Sequence, residues 1–110
     1  MILSGLVGNE TAAKVLLFLE NYSNGYAREI SLTFSVPISQ VQRQLERIER
    51  EGIIVSRLIG KTRQYSWNPR WGILKELKAL LAKTLQFIPE DEKKKYFFNR
   101  SRPRRRGKPL

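Results

Sequence analysis

The clearest pattern of hydrophobic and polar residues lies between Pro37 and Gly52. Val41, Leu45 and Ile48 recur there at helical intervals, so they fall on one stripe of a helix. Gly52 is expected to end this helix, because a left-handed C-cap position favours a residue without a Cβ. The side chains that fall off the stripe are Gln40, Gln42, Arg43, Glu46, Arg47 and Arg50. The pattern predicts an amphipathic helix with one buried and one polar face.

Two strands are predicted directly after this helix. Ile53–Val55 opens the first strand, residues 60–62 form a turn, and Arg63–Asn68 returns as the second strand. A shorter helix is predicted over about 27–34, after a turn cluster at residues 21–25. A helix, a turn, a second helix and a two-stranded ribbon in this order predict a winged helix-turn-helix.

A further helix is predicted before this motif, from an N-cap at Asn9 to about Asn21. Its apolar positions cover more than one face, because Leu17 and Phe18 widen the stripe of Ala12, Val15, Leu16 and Leu19. Such a broad apolar surface fits a helix that packs on the core from two sides. The alternative is that part of the apolar surface contacts a second subunit.

A last long helix is predicted from about Arg70 to Phe87, ended by Pro89. Because a terminal helix of a small domain has little core left to cover, its apolar stripe favours a dimer interface. The alternative is that the helix folds back and completes the monomer. The predicted interface residues are Ile73, Leu74, Leu77, Leu80, Leu81 and Leu85.

Together these elements predict a mainly α fold with a small antiparallel β-wing, an α+β winged helix-turn-helix with an added C-terminal helix. Residues 1–88 are expected to form the folded DNA-binding domain. Residues 89–110 are expected to form a basic C-terminal extension, in which 96–98 pin a short helix to the domain.

Three segments resemble ArsR-like winged-helix transcriptional regulators: YAREI at 26–30, VQRQLERIEREGII at 41–54 and VSRLIGKTRQYSWNP at 55–69. The likeness extends over about 9–82, and it implies a DNA-binding fold that is generally dimeric. The family favours glycine in the turn where this chain has Ser35. Metal-sensing members use cysteine or histidine, and the chain has neither, so metal sensing is not implied.

In this motif the N-terminal end of the second helix points at base edges in the major groove. Ser39 and Gln40 lie near that end. Gln42 and Arg43 follow on the exposed side, where glutamine can pair with adenine and arginine with guanine. Arg47 is better placed for phosphate. The alternative is a solvated helix face, since glutamine and arginine are good surface helix residues.

Carboxylates in the second half of the same helix oppose simple DNA binding. Glu46, Glu49 and Glu51 would repel phosphates unless that half leans away from the groove or its charges pair internally. Glu46 with Arg50, and Arg43 with Glu46, have the spacing for such pairs. We therefore expect DNA contact only in the first two turns.

The ribbon carries positive charge near its tip. Arg57, Lys61 and Arg63, with Thr62 between them, are predicted to contact the DNA backbone, which positions a protein without reading sequence. Tyr65 and Trp67 alternate with polar residues and are expected to pack on the second helix. Stacking on bases is the alternative.

The formal charge of +11 is unevenly distributed. Residues 93–110 hold nine Lys or Arg and no acid, whereas residues 1–92 have a net charge of only +2. The segment 99–110 has little to bury and is expected to be disordered alone. Its nucleic-acid contacts are predicted at Arg100, Arg102, Arg104, Arg105 and Arg106. Alternatives are a solubilising tail and an RNA-binding extension.

The composition argues against several other classes. Without cysteine or histidine the chain lacks disulfides and the usual transition-metal ligands, and no cofactor is expected. It also lacks the residues most used in acid–base and nucleophilic catalysis, and no Gly-rich phosphate loop is present, so an enzyme is not expected. No signal peptide or apolar run of roughly 18 residues is visible, which predicts a cytoplasmic protein without a membrane span.

The sequence therefore predicts a sequence-specific transcriptional regulator that binds double-stranded DNA as a homodimer. One alternative is a winged-helix protein-interaction module, partnered with another protein such as a nucleotidyltransferase. Another is an RNA-binding protein that acts through the Arg-rich tail.

Overall fold

The computed structural model describes residues 1–98 and has a winged-helix-like α+β fold, as the sequence predicts. Its helices are α1 (Ser4–Val7), α2 (Glu10–Tyr22), α3 (Ala27–Phe34), α4 (Ile38–Arg50), α5 (Leu74–Gln86) and α6 (Glu90–Glu92), the last continued by a π-helical segment (Lys93–Phe98). Its strands are β1 (Asn24–Tyr26), β2 (Ile54–Ile59) and β3 (Thr62–Trp67).

The central helix α2 is buried on both sides within the chain. The Asn9 side chain caps it by accepting a hydrogen bond from the Ala12 backbone N–H at 2.9 Å. Leu17 and Phe18, which widen the apolar stripe, are 0% and 1% exposed. Two-sided core packing is therefore confirmed, and neither side chain is available to a second subunit.

The helix-turn-helix consists of α3 and α4, with the predicted bounds of α3 confirmed. The turn places Ser35 in the left-handed region, with φ 56°, where the resembled family favours glycine. The Ser31 hydroxyl donates to the Val36 carbonyl at 2.6 Å and so braces this turn. At the other end of α4, Gly52 has φ 86° and the Ile53 N–H donates to the Ile48 carbonyl, as in a Schellman C-cap.

The predicted two-stranded ribbon is confirmed as β2 and β3, and a third strand, β1, which was not predicted, pairs with β3. The strand order is β1-β3-β2, all antiparallel, and Gly25 pairs with Tyr65. The sequence places residues 24 and 25 in a turn because Asn and Gly are common turn residues, and a strand of three residues is too short to show alternation. The turn between β2 and β3 is also shorter than predicted, because Thr62 already pairs with Ile59 in the β2–β3 ladder.

Helix α5 begins at Leu74, not at Arg70 as predicted. The segment before it is turned: the Asn68 side chain accepts from the Arg70 N–H at 3.0 Å, and the Trp71 N–H donates to the Asn68 carbonyl. The helix packs along α2, where Lys78 forms a 2.9 Å ion pair with Glu20.

The packed part of the chain continues beyond the boundary predicted at residue 88. Tyr96 and Phe97 lie against Phe34, with ring centroids 4.9 and 5.9 Å away. The Tyr22 hydroxyl donates to the Tyr96 carbonyl at 2.7 Å, and the Asn21 amide donates to the Phe97 carbonyl at 2.8 Å. These contacts confirm that Tyr96 and Phe97 pin the C-terminal segment to the domain.

Within residues 1–98, no helix has the length and apolar character needed to cross a membrane. The cytoplasmic location stays a prediction.

Candidate nucleic-acid interface

The outer face of α4 is polar, as predicted. Val41, Leu45 and Ile48 are buried on the inner side. The exposed polar side chains over the first two turns are Ser39, Gln40, Gln42 and Arg43. Among the described contacts, only Gln40 has a side-chain partner, a long 3.5 Å hydrogen bond from the Thr11 hydroxyl. This face therefore presents amide and guanidinium groups that can form new hydrogen bonds.

Arg47 differs from these residues, because its guanidinium is already held by the protein. It is half-buried, and its Nε donates to Gln44 Oε1 at 2.9 Å. Gln44 is itself buried, 9% exposed, on the stripe formed by its apolar neighbours. The sequence analysis missed Gln44 because it is polar, although its position between Val41 and Leu45 could have indicated its burial.

The acidic half of α4 is not neutralised in the predicted way. Within residues 1–98 neither Glu46 with Arg50 nor Arg43 with Glu46 forms an ion pair. Glu46 is exposed, whereas Glu49 is half-buried and accepts a hydrogen bond from the Ser56 hydroxyl at 2.6 Å. The two carboxylates thus have different surroundings although they lie on the same helix.

Strands β2 and β3 form the wing, which is joined by a two-residue loop at Gly60 and Lys61. Gly60 has φ 64°, a left-handed conformation that glycine adopts without strain. All four predicted wing contacts are exposed: Arg57, Lys61, Thr62 and Arg63.

The register of the wing separates its cations. Arg57 lies opposite Gln64, and Arg63 lies opposite Leu58. Since neighbouring cross-strand pairs alternate between faces, Arg57 and Arg63 lie on opposite faces of the ribbon, with Lys61 at the tip. Arg63 shares its face with Ser56 and donates to the Ser56 hydroxyl from Nη1 at 3.1 Å. The wing thus offers positive charge on both faces.

The aromatic residues of β3 pack inward. Tyr65 is 6% exposed and belongs to the core, and Trp67 is half-buried against it. Burial raises the pKa of the Tyr65 hydroxyl, and the nearby Glu49 carboxylate raises it further. Both aromatics therefore pack inward on the core of the domain; their predicted packing on α4 in particular stays a prediction.

The six residues predicted for a dimer interface do not share one surface. Leu81 is fully buried, and Leu77 and Leu85 pack against the core of the same chain. The buried Leu81 cannot contact a second subunit in this conformation, so its assignment is corrected. Leu74 is half-buried. Ile73 and Leu80 are 60% and 43% exposed, and they share an outward stripe with Phe87, which is 66% exposed and was not predicted.

The five predicted tail contacts lie outside the described residues: Arg100, Arg102, Arg104, Arg105 and Arg106. Within residues 1–98 no group of three or more His, Cys, Asp or Glu side chains is arranged to hold a metal ion.

The described residues thus combine a winged-helix-like fold, an exposed polar helix face and a cationic wing. No protein-family model matches the chain, and no curated protein is similar to it in sequence. Among solved structures, the chain is similar to the YusO protein from Bacillus subtilis, with a TM-score of 0.54 and 23% sequence identity. The match covers 76% of this chain and spans 65% of the length of the YusO chain. At this identity the likeness supports the fold.

Proposed function

We propose that this protein is a sequence-specific DNA-binding transcriptional regulator, similar in type to the ArsR-like regulators. The observation that carries the proposal is the exposed face of α4, where Gln42 and Arg43 lie free of ion pairs and hydrogen bonds within residues 1–98. In a helix-turn-helix this face enters the major groove. Localisation in the cytoplasm is part of the same proposal.

In this proposal, different parts of the protein read the base sequence and fix the position of the protein on the DNA. Ser39, Gln40, Gln42 and Arg43 read base edges, and each good bidentate pair contributes about 1–3 kcal/mol of discrimination. The wing residues contact phosphates, which fixes the position of the protein on the duplex. Arg47 contacts a phosphate through the N–H groups that do not donate to Gln44.

The active form in this proposal is a homodimer joined through an outward apolar stripe along α5, with Leu80 in the helix and Ile73 and Phe87 at its two caps. Ile73, Leu80 and Phe87 recur at seven-residue intervals and leave apolar surface unpaired. Such spacing suits a helix that packs beside another helix. A two-fold dimer places its recognition helices about one DNA turn apart, roughly 34 Å, and so matches a palindromic site.

The test is fluorescence anisotropy with the DNA upstream of the protein's own gene, against scrambled DNA of equal length. The full chain is expected to prefer its own DNA. Arg43→Ala should lose about 1–3 kcal/mol of this preference, because a guanine contact discriminates by that amount. The matched control is Lys75→Ala, which removes one exposed cation from α5, away from the proposed reading face.

Equal binding of both DNAs by the full chain would contradict the regulator proposal. A second candidate is then favoured, a protein-interaction module, because Leu32 on α3 is 68% exposed and Leu58 on the wing is 61% exposed. In that case binding to a protein partner is expected to depend on Leu32 and to be insensitive to Arg43→Ala.

A further inference from the structure

A chain of hydrogen bonds joins α4, the helix proposed to read base edges, to the wing. Arg63 Nη1 of β3 donates to Ser56 Oγ of β2 at 3.1 Å, and Ser56 Oγ donates to Glu49 Oε2 of α4 at 2.6 Å. The serine hydroxyl is thereby used both as donor and as acceptor. The chain connects three elements that are otherwise linked only by backbone pairing and core packing.

This arrangement limits the freedom of the Arg63 side chain. An arginine at an exposed ribbon position would otherwise sample many rotamers. Hydrogen bonds with an ionised partner are stronger and more directional than neutral ones, and both bonds in this chain involve a charged group. A guanidinium has several N–H donors, and the described contacts of Arg63 use one of them, so others stay free for a phosphate.

Glu46 provides the contrast on the same helix. It lies nearly one turn before Glu49, is exposed, and has no ion pair or hydrogen bond within residues 1–98. Charge alone predicts that both carboxylates repel DNA phosphates and that removing either one tightens binding.

We propose that Glu49 is a positioning residue for DNA binding: acting through Ser56, it holds the Arg63 guanidinium where it contacts the DNA backbone. Glu49 therefore favours binding despite its negative charge, whereas Glu46 opposes it. The inference rests on the proposed DNA-binding function and assigns a role to the acidic half of α4.

The first test compares two substitutions that change the charge equally. Glu46→Ala is expected to tighten DNA binding by about twofold, the size of a surface charge interaction. Glu49→Ala is expected to weaken binding by about three- to tenfold, because Arg63 loses the support of a charged hydrogen-bond chain. Glu49→Gln keeps an oxygen that accepts from Ser56 but makes this bond a neutral and weaker one, so its affinity should lie between those of Glu49→Ala and the wild type.

A second pair of variants leaves the charge unchanged. Ser56→Ala removes the bridging hydroxyl and should weaken binding as Glu49→Ala does. Ser66→Ala is the matched control, because Ser66 lies in β3 of the same sheet and its hydroxyl has no hydrogen bond within residues 1–98. It should bind like the wild type.

The dependence of affinity on salt distinguishes positioning from a general structural effect. Arg63→Ala should reduce the steepness of the decrease of log K with log salt by about 0.9, the value for one phosphate that the protein no longer neutralises. Glu49→Ala and Ser56→Ala should lower it by a similar amount, and Glu46→Ala should not. In the Ser56→Ala background, Arg63→Ala should weaken binding less than it does in the wild type.

Thermal unfolding of every variant accompanies these measurements, so that a partly unfolded variant is recognised. Tighter binding by both Glu46→Ala and Glu49→Ala, or additive effects of Ser56→Ala and Arg63→Ala, would overturn the positioning role. The proposed function fails separately, if folded wild-type protein shows no preference for its own DNA.

Discussion

At the scale of single residues, Gly25 allows β1 to lie against the core. A Cβ at this position would lie 2.6 Å from Cε1 and 3.1 Å from Cδ1 of Phe18, which is itself 1% exposed. Phe18 has little room to move, because Tyr22 and Phe34 pack around its ring at centroid distances of 4.6 and 6.4 Å.

Gly25→Ala is therefore expected to lower the free energy of unfolding by about 1–3 kcal/mol, as overpacking of a core does. Urea denaturation measures this change. Gly72→Ala is the control, since a Cβ there meets no atom within 4 Å and should leave stability nearly unchanged. Equal stabilities of the two variants would show that the ring of Phe18 adapts without cost.

At the scale of elements, α5 has two apolar faces with different roles, and neighbouring leucines distinguish them. Leu81 is 0% exposed, so Leu81→Ala should lower the free energy of unfolding by about 2–5 kcal/mol through an internal cavity. Leu80 is 43% exposed, so Leu80→Ala should change the stability of a monomer little but weaken self-association. Denaturation and analytical ultracentrifugation measure the two effects. Unchanged association in Leu80→Ala would place any dimer interface elsewhere.

Helix α5 also shows what hydrophobic patterning can and cannot predict. A wide apolar stripe predicts that α5 is buried on more than one side. It does not show whether α2 of the same chain or a second copy of the protein packs against it. The long helices α2 and α4 were predicted well, because their stripes and caps are complete within each helix. Strand β1 was missed because its pairing with β3 is non-local and its sequence is Asn-Gly-Tyr.

The candidate interface was likewise predictable only in part. Exposed Gln42 and Arg43 follow from helical periodicity alone, since they fall opposite the apolar stripe. The link from Glu49 through Ser56 to Arg63 depends on how the wing lies beside α4, and no spacing along the chain encodes that contact. The predicted ion pairs within α4 are absent from the described residues because Glu46, the carboxylate common to both pairs, is exposed and solvated.

At the scale of the whole molecule, the packed unit includes the π-helical segment. Phe97 is 5% exposed and Ile88 is 3% exposed, so both belong to one core. A chain cut after Ile88 would leave Phe34 without Tyr96 and Phe97. Loss of one buried aromatic side chain lowers the free energy of unfolding by about 1.5–3 kcal/mol. Poor DNA binding by that fragment would therefore not distinguish lost DNA contacts from unfolding.

A truncation after Phe98 keeps these aromatic residues and tests the basic tail cleanly. It removes six Lys or Arg residues, all located between Asn99 and Leu110. If these residues bind phosphates, the decrease of log K with log salt should become less steep by about 0.9 for each phosphate that the shortened chain leaves unbound. Affinity for both DNAs should fall together. The preference for the protein's own DNA should persist, because base edges are read by α4 and phosphate contacts carry no sequence information. Anisotropy titrations of the full and shortened chains over a salt series measure both quantities. A shortened chain that is folded but no longer prefers its own DNA would assign sequence reading to the tail, and the proposed role of Gln42 and Arg43 would then be wrong.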